Sequence, residues 1–139
     1  MANETLSTGT ISGDLKSAPD YIFYDETMPN NTSSASSAWL LGMTQDSIEI
    51  VGKVQTEVEL ADTKVLSITL TYATTETGSY GNSVTLYTKT ASGAETIAAN
   101  TELFRYAIPK SAGPWFKVTI TTTDTGTTGT FDVFPVMVA

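Results

Sequence analysis

Carboxylates are the main groups in this chain able to do chemistry: fifteen Asp and Glu among 139 residues, with no histidine and no cysteine. Without imidazole or thiol, the usual acid/base group near neutral pH and the usual soft metal ligands are missing. Asp25 and Glu26 are adjacent carboxylates, and Asp14 and Asp20 precede them. A hard cation needs several oxygens converging at about 2.3–2.6 Å. The spacing here is not that of a calcium loop, so these residues read as solvated loop acids. Two carboxylates set about 5–10 Å apart across a cleft can hydrolyse a glycoside, but among so many acids some pair meets that distance by chance. No pair is marked out. Gly126 and Gly129 lie among threonines with no following helix or lysine, so they do not make a phosphate loop. The expectation is a non-enzymatic chain with no catalytic, cofactor-binding or metal-binding residues.

Aromatic residues suggest adhesion instead. Trp39 lies between Ala38 and Leu40-Leu41 and reads as core. Trp115 precedes Phe116 in an alternating run, so it points outward if Phe116 points inward. Exposed aromatics mark interfaces, which makes Trp115, with Tyr21, Tyr80 and Tyr87, the candidate partner-interface residues. Thr119, Thr121, Thr123, Thr125 and Thr127-Thr128 form a ladder reminiscent of ice-binding surfaces. Such surfaces repeat a flat array over several coils, and a single run reads as a solvent-facing strand followed by a turn.

The elements that position these residues are strands. Leu66, Ile68, Leu70 and Tyr72 alternate with Ser67, Thr69 and Thr71, and the same period of two returns at Val84–Lys89, at Phe104, Tyr106 and Ile108, at Phe116, Val118 and Ile120, and at Phe131 and Val133. That period belongs to antiparallel strands with one face in a core and one in water. Strands are expected at Tyr21–Tyr24, Ser37–Met43, Ile48–Val51, Val54–Leu60, Lys64–Ala73, Ser83–Thr90, Leu103–Ile108, Trp115–Thr123 and Phe131–Ala139. Gly52 separates the third from the fourth. Asp25–Ser37 reads as a polar connection. Glu95–Glu102 reads as either a strand end or a short helical turn. Pro135 places the last strand at an edge or on a bulge. The fold class is all-β: an antiparallel β-sandwich, most simply a jelly roll.

Length and composition agree. A chain of this size makes one domain that buries roughly two-thirds of its unfolded surface. Only 16% of residues are charged, and threonine, a strand former whose hydroxyl tolerates water, is abundant. The net charge of −8, with basic residues scattered singly, argues against nucleic acid and against an anionic membrane surface. Met1–Lys16 lacks the pattern of a signal peptide, and no apolar run reaches the ~18 residues of a membrane span. These features suggest a protein made in a cytoplasm without export. Residues 1–17 read as a flexible polar arm, frayed or ordered against a partner, and residues 18–139 as a single sandwich domain.

Six stretches carry a family resemblance. They are Ser36-Ser37-Ala38-Trp39-Leu40-Leu41-Gly42; Val65–Leu70 followed by Ser83–Thr88; and Tyr106-Ala107-Ile108-Pro109 with a glycine-containing link to Trp115-Phe116-Lys117-Val118-Thr119-Ile120, closing on Thr130–Phe134. Over about a hundred residues this order of strands and links resembles the jelly-roll capsid cement (head-decoration) proteins of tailed bacteriophages. The resemblance implies a structural virion protein on the capsid exterior, made in the host cytoplasm. It would reinforce the major capsid protein lattice as a homodimer or homotrimer, without cofactors. The alternative is a carbohydrate- or receptor-binding sandwich of a phage fibre, using Trp115, Tyr72, Tyr80 and Tyr87.

Overall fold

The computed structural model of the chain describes residues 10–11, 21–41, 48–109 and 114–137. Its strands are β1 (Thr10–Ile11), β2 (Phe23–Thr27), β3 (Ser33–Ala35), β4 (Trp39–Leu41), β5 (Ile48–Leu60), β6 (Val65–Ala73), β7 (Asn82–Thr90), β8 (Glu95–Ile97), β9 (Glu102–Ala107), β10 (Trp115–Thr122) and β11 (Thr128–Met137). Among the described residues there is no helix. The strands form two sheets. Sheet A runs β1-β4-β10-β6-β7 with β3 also on β10; sheet B runs β2-β11-β5-β8 with β9 also on β5. Every pairing is antiparallel except β1 with β4. Within the segment read as an arm, Thr10–Ile11 thus pairs with Leu40–Leu41; the rest of residues 1–17 lies outside the described residues.

Alternation does what the sequence requires. β6 and β10 alternate buried with half-buried residues, and their inward members Leu66, Ile68, Leu70, Phe116, Val118 and Ile120 are at most 1% exposed. From sheet B they meet Ile50, Val54, Val58, Phe131 and Val133 in one continuous core that also takes in Trp39. Burying such side chains contributes about 1.5–3 kcal/mol each, well above the ~1 kcal/mol net of a ladder hydrogen bond. The core therefore fixes the register.

Two edge paths are interrupted without leaving the ladder. β3 and β4 both lie along β10, and between them the Ser36 hydroxyl stands in for a main-chain acceptor. Ser36 N donates to Val118 O at 2.8 Å, while Val118 N donates to Ser36 Oγ at 3.0 Å. Similarly, β8 and β9 both lie along β5. Asn100, at φ +70°, donates its N–H to Val54 O at 2.7 Å, and Val54 N donates to Thr101 O at 2.9 Å. The Glu95–Glu102 segment is thus a strand with a turn inside it. Besides the two-residue β1, eight strand paths result: β2, β3–β4, β5, β6, β7, β8–β9, β10 and β11.

The structure differs from the sequence reading at three places and decides between two alternatives at a fourth. Asp25–Ser37 is not a plain connection: β2 carries the chain through Asp25 and Glu26, and β3 follows. β3 has no apolar alternation and exists because β10 offers it a partner. Gly52 does not divide two strands, since β5 is continuous across it. A Cβ at Gly52 would fall on the Phe104 ring, which crosses the strand there to reach the core; the glycine makes room. Tyr21 lies just outside β2, which begins at Phe23. Of the two alternatives read from Pro135, the bulge holds and the edge does not: β11 is interior to its sheet and carries register shifts near Thr130. Pro135 pairs with Ile50 on one side and lies beyond the reach of β2 on the other, so its missing N–H costs no ladder bond.

Gly52→Ala should destabilise the protein by about 1–3 kcal/mol, because Phe104 is buried and has little room to retreat. Chemical denaturation checks this, and Phe104→Leu in the Gly52→Ala background should recover part of the loss.

Candidate functional site

Each sheet turns one face to the core and one outward, and the two outward faces are chemically unlike. On sheet B, Tyr24 is 64% exposed and Tyr21 37%, the only large hydrophobic side chains with such exposure among the described residues. Their rings meet edge to face with centroids 4.9 Å apart, and Tyr21 also tilts against Phe134 at 5.5 Å. Phe134 lies on β11 directly opposite Val51 of β5. Val51 is 1% exposed yet lies outside the inter-sheet core, so it forms the floor of a small apolar patch on the outer face. Across β5, Arg105 faces Val51 from β9. Its guanidinium donates to Glu49 and to Glu102, each at 3.0 Å. Both carboxylate partners raise its already high pKa.

Asp132 braces this patch. Its Oδ1 accepts the Asp25 N–H at 2.7 Å, and its Oδ2 accepts Gln55 Nε2 at 3.0 Å. Asp25 has φ +49°, a left-handed turn inside β2 that coincides with the register shift between Phe131 and Val133. The carboxylate holds this irregularity in place next to Tyr24, so the exposed ring stands on a fixed backbone.

The other candidates lie on sheet A. Trp115 opens β10 between Leu40 and Ala73; it is half-buried and faces outward, since Phe116 faces the core. Tyr80 lies in the β6–β7 loop. Its hydroxyl donates to Glu76 O at 2.7 Å, and the Lys117 ammonium sits 4.5 Å from its ring centroid. Burial, then Glu76, pushes its phenol pKa up. Tyr87 faces Ile68 and, like Tyr72, packs half-buried against the core. Burial raises its pKa first, Lys89 opposes and Glu95 adds. The structure therefore puts Tyr80 and Trp115 on one sheet, Tyr21 on the other, and turns Tyr87 inward. Sequence reasoning missed Tyr24 and Phe134. Their signal was the offset from core-facing Phe23 and Val133, each one residue away.

Between these aromatics, sheet A presents hydroxyls. Cross-strand register sets Ser33, Thr121, Ser67 and Thr88 in one row, Ala35, Thr119, Thr69 and Thr85 in the next, and Lys117, Thr71 and Ser83 in a third. The array is wider than the single ladder legible along β10, and Ser33 Oγ and Thr121 Oγ1 already bond across it at 2.8 Å. Among the described residues no strand of sheet A carries an Asp or Glu, whereas β2 carries two, β5 three and β8, β9 and β11 one each.

The remaining acids near a hollow are structural. An open hollow of about 420 Å³ is lined by Glu59, Glu95, Asp124 and neighbouring apolar atoms. Glu95 is tied to Lys89 at 2.8 Å and to Ser92 N at 2.7 Å; the lysine, then the amide, lowers its pKa. Asp124 is 5% exposed, and its two oxygens accept from Ala61 N and Gly126 N, both at 2.8 Å. It thus ties the β10–β11 turn to the β5–β6 turn. These backbone bonds, Ala61's first, hold its pKa below the ordinary value despite its burial. Among the described residues no group of three or more metal-ligating side chains converges. Compared with known proteins, the chain matches no family model and no curated protein.

Because the Asp124 carboxyl titrates lower in the folded than in the unfolded chain, its contribution to stability is complete above the ordinary value of 3.8 and is lost as pH falls through the folded value. Asp124→Asn should cost about 1–3 kcal/mol at pH 7, since one backbone N–H then meets an amide donor. Thermal melts of both proteins should converge as the pH is lowered below 3.8.

Proposed function

We propose that this chain is a non-enzymatic structural virion protein: a capsid cement, or decoration, protein. It binds the exterior of a tailed-phage head, holds the major capsid protein lattice together, and works as a homodimer or homotrimer. The observation that carries the reading is the Tyr21–Tyr24–Phe134 patch, which holds the two exposed large hydrophobic side chains among the described residues and is braced by Asp132. Tyrosine offers a large contact area with only two torsions to freeze, so a braced pair adheres at low entropic cost.

The strand order supports a jelly roll. Numbering the eight paths along the chain and leaving aside the two-residue β1, which flanks path 2, sheet B reads 1-8-3-6 and sheet A reads 2-7-4-5, the interleaving that two Greek keys produce. Such a stiff sandwich suits a clamp, because nothing in it must rearrange on binding. The thermodynamics is simple. A protein that binds the assembled lattice but not free subunits stabilises the lattice by mass action. Several modest contacts on one oligomer reinforce each other through effective concentration.

Mature phage heads lacking the protein provide the test. Purified protein should bind them saturably and raise their heat resistance. Tyr21→Ala with Tyr24→Ala should weaken binding about tenfold or more while leaving the melting temperature of the free protein within a few degrees. Absence of saturable binding overturns the reading. Glycan binding lost on Tyr24→Ala, without head binding, would instead support a fibre module that stacks sugars on the same rings.

A further inference from the structure

The strand carboxylates are confined to sheet B, while the outward face of sheet A is built of hydroxyls with Trp115 at one end. We propose that this hydroxyl face is a self-contact: a second copy of the chain packs its own sheet A against it across a two-fold axis. The inference deepens the homo-oligomeric part of the proposed function and does not depend on the head-binding part.

A two-fold contact brings every patch against a surface of its own kind. For sheet B that is unfavourable, because its strands set eight carboxylates against only Lys53 and Arg105, and like charges would oppose one another. In a chain of net charge −8, copies approach with least repulsion where carboxylates are missing, and among the strands that is sheet A. The one cation in its hydroxyl rows, Lys117, is held over the Tyr80 ring.

Charge alone would only permit the contact; the hydroxyls favour it. A carboxylate only accepts, and an ammonium only donates. A hydroxyl does both, so rows of Ser and Thr complement an identical set of rows. Ser33 and Thr121 show the pairing within one copy. Threonine adds a methyl to each site, and the short side chains let two sheets approach to the ~10 Å of ordinary face-to-face packing.

At the end of this face Trp115 has Leu40 and Ala73 as cross-strand neighbours. Ala73 is only 5% exposed although it lies outside the inter-sheet core. Trp is the residue type that most often anchors an interface. Four strands at ~4.8 Å and three rows at ~7 Å give a face of roughly 400 Å², about half of what each partner buries in a standard interface. The dimer is therefore of the weak, concentration-dependent class.

Sedimentation of the purified full chain from roughly 10 µM to 1 mM should show monomer passing to dimer, and added salt should not weaken the association, because no opposite charges pair across the contact and the repulsion between the two acidic copies is screened. Thr119→Glu, which sets a carboxylate mid-face, should weaken association at least tenfold. Thr96→Glu, on exposed β8 of sheet B, should leave it unchanged. Since the chain has no thiol of its own, single-cysteine proteins give a second reading that does not rely on the glutamate variant folding. Thr69→Cys should be joined into dimers by a short bis-maleimide, and Thr96→Cys should not. A monomer throughout the range overturns the proposal. So does cross-linking of Thr69→Cys to Thr96→Cys with association that weakens as salt is added, which would mean sheet A packs on sheet B. A dimer that ignores phage heads would remove the head-binding reading alone, and a monomer that binds heads would remove this one alone.

Discussion

Each sheet of this molecule has only one side that water disfavours, and those two sides must be pressed together. Phe116, Val118 and Ile120 from β10 and Leu66, Ile68 and Leu70 from β6 meet Ile50, Val54, Val58 and Val133 from the other sheet. A slip of one residue along any of these strands would send its whole apolar set into solvent. The register of both sheets therefore follows from this contact, and with it the identity of every outward residue. Trp115 faces out because Phe116 cannot, and Phe134 faces out because Val133 cannot.

Given that frame, irregularities fall where side chains can repair them. Ser36 replaces a main-chain acceptor with its hydroxyl, Asn100 takes a left-handed turn that lets the chain rejoin β5, and Asp132 captures the amide freed by the turn at Asp25. Gly129, at φ +107°, passes so close to Glu57 and Val58 that no side chain fits. One end of the sandwich is tied turn to turn: Asp124 accepts from Ala61 and Gly126, Asp62 from Gly93, and Ala91 O from Thr63 N. In a chain without disulfides, these short polar links do the local cross-bracing.

The alternating strands were legible because burial imposes a period of two that composition cannot hide. β6, β7, β9, β10 and the body of β11 could be read off directly, as could the burial of Trp39. β3 could not. Ser33-Ser34-Ala35 has no apolar face and owes its conformation to pairing with β10. Gly52 misled for the opposite reason, since its role depends on a ring fifty-two positions away. The candidate surface was half legible. Tyr21 and Trp115 could be singled out as aromatics near strand ends, but the Tyr24–Phe134 side of the patch and the width of the hydroxyl array needed knowledge of which strands lie side by side.

The lopsided placement of acids among the described strands makes the outward faces of the two sheets electrically unlike. Near a charged surface such a body feels a torque as well as a pull. At physiological ionic strength the field reaches only about 8 Å, so turning happens in the last moments before touch. A positively charged wall would draw the side bearing Tyr21 and Tyr24, and a negatively charged one, which repels the chain as a whole, would repel the hydroxyl face least. The sandwich therefore selects its orientation before any specific contact forms, and correct landing becomes a property of the approach as well as of the fit.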